Sequence, residues 1–390
     1  VTKYLYFLIL WPWVFSANVE ASNSALRLKQ VLQNNLRGVS GISNPRDIAI
    51  AQKRGMVLVV SGDDDALTVF SADEDFKLSL SQSFSDKNFP ELRLKGASSV
   101  SYSKRHHSAY TTSFYSGALT SFSYKDEAQL LPTTTLSDNI NHNLVFKSFD
   151  SIKTQDSLGL LGAWSSVITN DGQYLLTASY QSNTVSVFSL APKGVASFKT
   201  KLLPNHDWGH PTSIEQTADS NTIFVAGFES NQIFILNRTS DHHFVLKQTL
   251  SHPTLLNPQK LSVSRNGEYL FVAAAKSKSL IIYKQDADGQ YLHHQSILND
   301  QLPSGGLNGA CCIAMSLDES LLFISGEADK GILIFNKSKE TDQITYQRHI
   351  KSIGGIAIEN VSVLKTTDDG KHLMVGTGKN NQLLILEIVE

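Results

Sequence analysis

The chain has 390 residues, a net charge of −2, 41 % hydrophobic and 18 % charged content, which describes a folded globular protein and not a disordered one. The near-neutral balance excludes a general nucleic-acid binder, because phosphate neutralisation needs a basic field. With only two cysteines, adjacent at Cys311 and Cys312, a disulfide framework is excluded as well.

The N-terminus reads as a signal peptide. Lys3 precedes an apolar run from Tyr4 to Phe15, and Val19-Glu20-Ala21 offers small or branched residues where a signal peptidase reads, with cleavage after Ala21 or Ala17. The run is short for a membrane span, and no later segment is apolar enough to make one. The expected organisation is a leader at 1–21 and one domain at 22–390, periplasmic or secreted.

A repeated phrase follows. Its clearest copy runs from Asn257 to Tyr283, and copies end on Phe70, Phe122, Phe188, Leu236, Tyr283, Phe335 and Leu386, in steps of 52, 66, 48, 47, 52 and 51 residues. A period near fifty with several strands per unit predicts an all-β, seven-bladed β-propeller of four-stranded antiparallel blades. In the fifth copy the strands, from the axis outward, are expected at Lys260–Ser264, Tyr269–Ala274, Ser279–Tyr283 and Tyr291–Leu298. Turn signals recur between the first two strands, at Asp171-Gly172, Asn266-Gly267 and Asp369-Gly370.

Three places depart from the pattern. The second unit has Lys104-Arg105-His106-His107 in place of the turn, and a long connection, Lys125 to Leu161, follows it. Cys311 and Cys312 read as small apolar residues of an inner strand, one facing each way, the alternative being a rare, strained eight-membered ring if they bond. Leu26–Leu32 (LRLKQVL) precedes the first full repeat yet resembles the outer strand Phe244–Leu250 (FVLKQTL). It is expected to complete the last blade beside Leu383–Ile388, closing the ring and removing two open sheet edges.

In an antiparallel meander the loops entering each inner strand and those between the second and third strands share one face, at the channel mouth. Sites on rigid scaffolds concentrate in such loops. Candidates there are Arg46 in Asn44-Pro45-Arg46-Asp47, the polar cluster Asn205–Pro211 with His206, Asp207, Trp208 and His210, the run containing Asp64 and Asp65, and the carboxylates Glu229 and Glu327. Arg46, His210, Glu327 and Glu229 suit catalysis, as oxyanion donor and general bases. His206, Asp207, Trp208, Asp64 and Asp65 suit ligand contact. The histidines lack zinc spacing and the aspartates lack the ladder of a calcium loop, so neither metal nor cofactor is expected. Nucleophile-elbow, P-loop and dinucleotide motifs are absent.

Ser61-Gly62-Asp63-Asp64-Asp65-Ala66-Leu67-Thr68-Val69-Phe70 resembles a phrase of lactonase-like seven-bladed propellers, as do Ser304–Ala310 and Leu160–Ala163. The resemblance covers about residues 26–388. It implies the propeller fold and a superfamily that includes enzymes opening 6-phosphogluconolactone or acting on carboxymuconate lactones, beside exported propellers that bind or scaffold. Enzymatic members show Gly-Pro-Arg-His entering an inner strand and Asn-Glu-Leu after a second strand. Here Pro45-Arg46 is kept and Asp47 stands at the His position, while Glu327 and Glu229 sit in Gly-Glu-Ala and Phe-Glu-Ser. The reading preferred from sequence is an exported monomeric propeller that binds an unknown small molecule or envelope protein at the channel mouth. The alternative is a lactone hydrolase using the Arg, Glu and His residues there.

Overall fold

A computed structural model describes residues 25–125, 129–140, 155–338 and 341–389. They form seven four-stranded antiparallel sheets. The inner strands of blades 1 to 7 are Pro45–Ala51, Ala97–Ser103, Ala163–Ile168, Pro211–Gln216, Pro258–Val263, Ala310–Met315 and Val361–Thr366. The expected leader lies outside the described residues. Among the described residues no helix is long and apolar enough to cross a membrane.

The repeat has a direct physical cause. The core divides into seven apolar clusters, one at each junction between neighbouring blades. Each aromatic or leucine anchor fills the junction with the preceding blade: Phe122 packs between blades 1 and 2, Phe188 between 2 and 3, and Phe70 between 7 and 1. A blade cannot bury both faces of its sheet alone, so the unit that must recur is the seam filler.

The N-terminal strand, Leu26–Gln33, pairs antiparallel with Gln382–Ile388 and completes blade 7. It is an outer strand in detail. Its register slips between Leu28 and Gln30, where the other six outer strands slip beside their own anchors. Its resemblance to Phe244–Leu250 also gains a role. Gln30 Nε2 donates to the Leu78 carbonyl and Gln30 Oε1 accepts from the Leu78 amide, both at 2.8 Å. Gln248 makes the same double bond to Tyr291 of the next outer strand.

Two expectations need correction. The inner strand of blade 5 is Pro258–Val263 and begins two residues before the expected Lys260. The long connection after blade 2 contains that blade's own outer strand, Leu130–Ser137; residues 126–128 and 141–154 of the connection lie outside the described residues.

Candidate active site at the channel mouth

Every inner strand carries a bulge at its second residue. Pairing with the second strand skips from Pro45 to Asp47, Ala97 to Ser99, Ala163 to Ser165, Pro211 to Ser213, Pro258 to Lys260, Ala310 to Cys312 and Val361 to Val363. A bulge sets two consecutive residues against one partner and suspends the alternation of side chains. The ring of bulge residues is therefore Arg46, Ser98, Trp164, Thr212, Gln259, Cys311 and Ser362, and all of them line a central channel of about 890 Å³.

Three of these residues clamp the next blade. Ser98 Oγ donates to the Ala163 carbonyl (2.6 Å), Thr212 Oγ1 to the Pro258 carbonyl (2.9 Å) and Ser362 Oγ to the Pro45 carbonyl. The third residue of the strand adds an acceptor. Asp47 Oδ2 takes the Val100 amide at 3.0 Å, and the hydroxyls of Ser99, Ser165 and Ser213 take the amides of Ser166, Ile214 and Leu261. In three blades the bulge position holds the larger Arg46, Trp164 and Gln259, which line the lumen.

Arg46 Nη1 lies 3.4 Å from Glu327 Oε1. Arg46 belongs to blade 1, whereas Glu327 follows the second strand of blade 6. Blade 7, between them, presents Ser362 and Gly378 at these levels, so nothing bulky separates the pair. Gly62 makes room on the other side: a Cβ there would stand 3.2 Å from Arg46 Nε. Glu327 is fixed through its backbone, its amide donating to the Gly309 carbonyl (3.0 Å) and its carbonyl accepting from Asn360 Nδ2 (2.7 Å). The two side chains remain 33 % and 51 % exposed, so the pair holds the fold by at most about 1 kcal/mol and a ligand can open it.

Aromatic residues of blades 2 and 3 form another part of the wall. Phe114, Tyr115 and Trp164 line the same channel, with Phe114 edge-on to Trp164 (5.3 Å between centroids) and to Tyr115 (5.2 Å). The lumen also holds Glu215, whose carboxylate is 3.7 Å from Lys260 Nζ. Enclosure by the ring raises the Glu215 carboxyl above the usual range, against the pull of Lys260 and Lys365.

The other expected residues stand elsewhere. His210 and Glu229 pair with each other on blade 4, which is across the ring from blades 7 and 1; His210 Nε2 is 3.8 Å from Glu229 Oε2. His210 Nδ1 sits 2.7 Å from the Tyr180 carbonyl and must donate to it. Tyr180 Oη donates to Glu229 Oε1, and desolvation followed by that carboxylate pushes its phenol up to about 12. Arg46 and Glu327 are thus brought together, and His210 with Glu229 forms a separate pair.

Trp208 is 1 % exposed and packs at the junction of blades 3 and 4. His206 lies edge-on to Trp208 and Phe234, and burial lowers its pKa. Asp207 accepts from Asn183 Nδ2 (2.8 Å) and the Gly209 amide (3.0 Å), bonds that hold its carboxyl below the usual range. Asp64 Oδ2 accepts from Asn34 Nδ2 and the Ser43 amide, and Asp65 Oδ1 from the Gly96 amide at 2.6 Å. Burial raises the Asp65 carboxyl nonetheless. These carboxylates tie loops of neighbouring blades together, as Asn231 does by accepting the Asn257 amide. Among the described residues no cluster of three or more His, Cys, Asp or Glu side chains is placed to hold a metal ion.

Phe114, Tyr115, Trp164 and Gln259 were not singled out by sequence. The available signal was positional: set on their anchors, the seven copies place Trp164 and Gln259 at the position of Arg46, and Phe114 at the position of Glu327.

The chain belongs to the lactonase seven-bladed β-propeller family, whose model matches residues 147–390, spanning blades 3 to 6 and the C-terminal strands of blade 7. Glu327 lies inside the matched stretch and Arg46 outside it. Among solved structures, a periplasmic gluconolactonase of Pseudomonas aeruginosa is similar with a TM-score of 0.63 at 14 % identity, over 82 % of this chain and 87 % of that one. A candidate 6-phosphogluconolactonase of Bacteroides fragilis is similar with a TM-score of 0.63 at 17 % identity, over 85 % and 90 % of the two chains. The Cps50 (Swd1) propeller domain of Myceliophteria thermophila reaches 0.62 at 10 % identity, over 93 % and 100 %. Likeness at such identities establishes the fold alone. No curated protein sequence matches the chain.

Proposed function

We propose that the protein hydrolyses a cyclic ester at the channel mouth between Arg46 and Glu327. The observation that carries this reading is the pairing of a cationic donor with a carboxylate over a lumen that also has an aromatic wall. Family membership supports it over a purely binding scaffold. In this reaction the lactone carbonyl oxygen faces the Arg46 guanidinium, displacing it from Glu327. Glu327 takes a proton from water, whose oxygen attacks the carbonyl carbon. Arg46 stabilises the oxyanion. Collapse breaks the ring C–O bond, and Glu327 returns the proton to the departing alkoxide, leaving a hydroxy acid. Phe114, Tyr115 and Trp164 seat the apolar face of the ring.

The test is proton release from a panel of phosphorylated, aliphatic and aromatic lactones, using protein that begins at Ser22. Turnover that disappears in Arg46→Ala and in Glu327→Gln, with both variants folded, supports the reading. Folded wild-type protein without turnover across the panel overturns it. The leader-like segment at 1–21 and a periplasmic gluconolactonase among the similar structures support an envelope location, which fractionation of cells expressing the full chain would test.

A further inference from the structure

Cys311 and Cys312 occupy the bulge and the following position of blade 6. Because the bulge suspends alternation, the expectation that they face opposite ways is wrong: both sulfurs face blade 7, 3.2 and 3.6 Å from the Val361 carbonyl oxygen, and the structure joins them in a disulfide. The same two positions in other blades hold clamp groups. Ser98, Thr212 and Ser362 each donate a hydroxyl hydrogen to the first carbonyl of the next inner strand, which is the place Val361 takes here. A Cys311 thiol could make that bond. A disulfide sulfur, having no hydrogen, cannot.

We infer that Cys311 and Cys312 form a reversible dithiol–disulfide couple that clamps blade 6 to blade 7 when reduced and releases the clamp when oxidised. A ring closed between chain neighbours constrains almost none of the unfolded chain, so the bond has little to offer as a staple. Both line the channel, and access is asymmetric: Cys312 is 3 % exposed and buried in the junction between blades 6 and 7, whereas Cys311 is only partly buried. The co-reactant is a low-molecular-weight disulfide entering the channel. The Cys311 thiolate attacks one of its sulfurs and releases one thiol, giving a mixed disulfide. Cys312 then attacks Cys311 Sγ and releases the second thiol. The two cysteines lose two electrons and two protons, and the entering disulfide gains them. The consequence reaches the mouth, because the Gly309 carbonyl, two residues before Cys311, holds the Glu327 amide.

The experiment poises the folded protein in glutathione buffers of varied ratio and reads intact mass, alkylation and amide hydrogen exchange, none of which depends on turnover. Oxidised protein is expected to be lighter by two hydrogen atoms, to take no alkyl label, and to exchange several-fold faster at Val361–Thr366 and at Glu327. Cys311→Ser keeps a donor and cannot form the bond, so it should exchange slowly in every buffer; Cys312→Ser, which retains the Cys311 thiol and lacks the resolving one, should match reduced wild type in the reducing buffers and stop at the mixed disulfide, heavier by one glutathionyl group, in the oxidising ones. Two results overturn the inference: a mass and label count unchanged across the buffers, or two redox states with the same exchange at the junction.

Discussion

The Arg46 guanidinium and the Glu327 carboxylate meet at 3.4 Å although 281 residues separate them and blade 7 stands between their blades. Their contact depends on ring closure, since blades 1 and 6 come within reach only when blade 7 is in place. An exposed pair of this kind contributes at most about 1 kcal/mol to stability. Arg46→Ala and Glu327→Gln should therefore shift the melting temperature by no more than about 3 °C. Each should lower lactone turnover by roughly 100-fold or more, the usual effect of removing an oxyanion donor or a general base. Thermal denaturation and initial rates on the same samples check both halves; unfolding of either variant would assign the pair to the scaffold.

In the proposed reaction Trp164 belongs to the wall that seats the substrate, not to the group that reacts with it. Replacing it with alanine should raise KM about tenfold and leave kcat nearly unchanged, the pattern for binding shared by ground and transition states. The optical readout is simple. Protein starting at Ser22 contains two tryptophans, Trp164 and Trp208, and Trp208 is buried at a blade junction. Saturable fluorescence quenching by a bound lactone or its product should appear in wild type and be lost in Trp164→Ala. An equal loss of kcat would place Trp164 in the chemistry instead.

The N-terminal strand should be indispensable. Removing residues 24–33 uncovers the edge Gln382–Ile388, deletes the buried Leu26 and Leu32, and breaks the double hydrogen bond of Gln30 to blade 1. The truncated chain is expected to aggregate or to lose its cooperative melting transition. Size-exclusion chromatography with circular dichroism would show it. A monomeric chain with an unchanged transition would mean that blade 7 stands on three strands.

Acid should destabilise the protein partly through His372. Its ring stacks on Phe76 at 4.7 Å and is buried; desolvation, then Lys29, lower its pKa, with Asp369 and Glu387 opposing. In the unfolded chain the imidazole takes a proton near its ordinary value of about 6.5. The unfolded state then holds more protons than the native one, so this contribution is complete above that value and is lost as pH falls through the lowered native pKa. Between pH 7 and 5 the urea midpoint of wild type should fall more steeply than that of His372→Leu. Parallel curves would show that the ring does not titrate differently on folding.

The repeat, the blade count and the closing strand were legible because burial dictates them. Each anchor from Phe70 to Leu386 must fill a seam, and any residue there has to be large and apolar. The bulge ring was illegible for the opposite reason. Its members are Arg, Ser, Trp, Thr, Gln, Cys and Ser, which share a backbone geometry and no chemistry. Missing the bulge also caused the late start given to the blade 5 inner strand and the wrong facing given to Cys311 and Cys312. Polarity drew attention to the His206–His210 cluster, where Asp207 ties its loop to Asn183 of blade 3 and Trp208 fills a seam, and hydrogen bonds that join loops look the same in sequence as groups awaiting a ligand.

Arg27 of the first strand binds Glu387 of the last strand, 360 residues later. The earliest part of the ring to be synthesised is thus the last to find its neighbour. Until the final residues are available, the nascent chain holds an unsatisfied strand at one end and an incomplete ring at the other. Local pairing can build six blades in order, but the last step joins the two ends of the chain and carries the largest loop-closure cost. That interval is when the protein is most exposed to wrong partners, including the first strand of another copy.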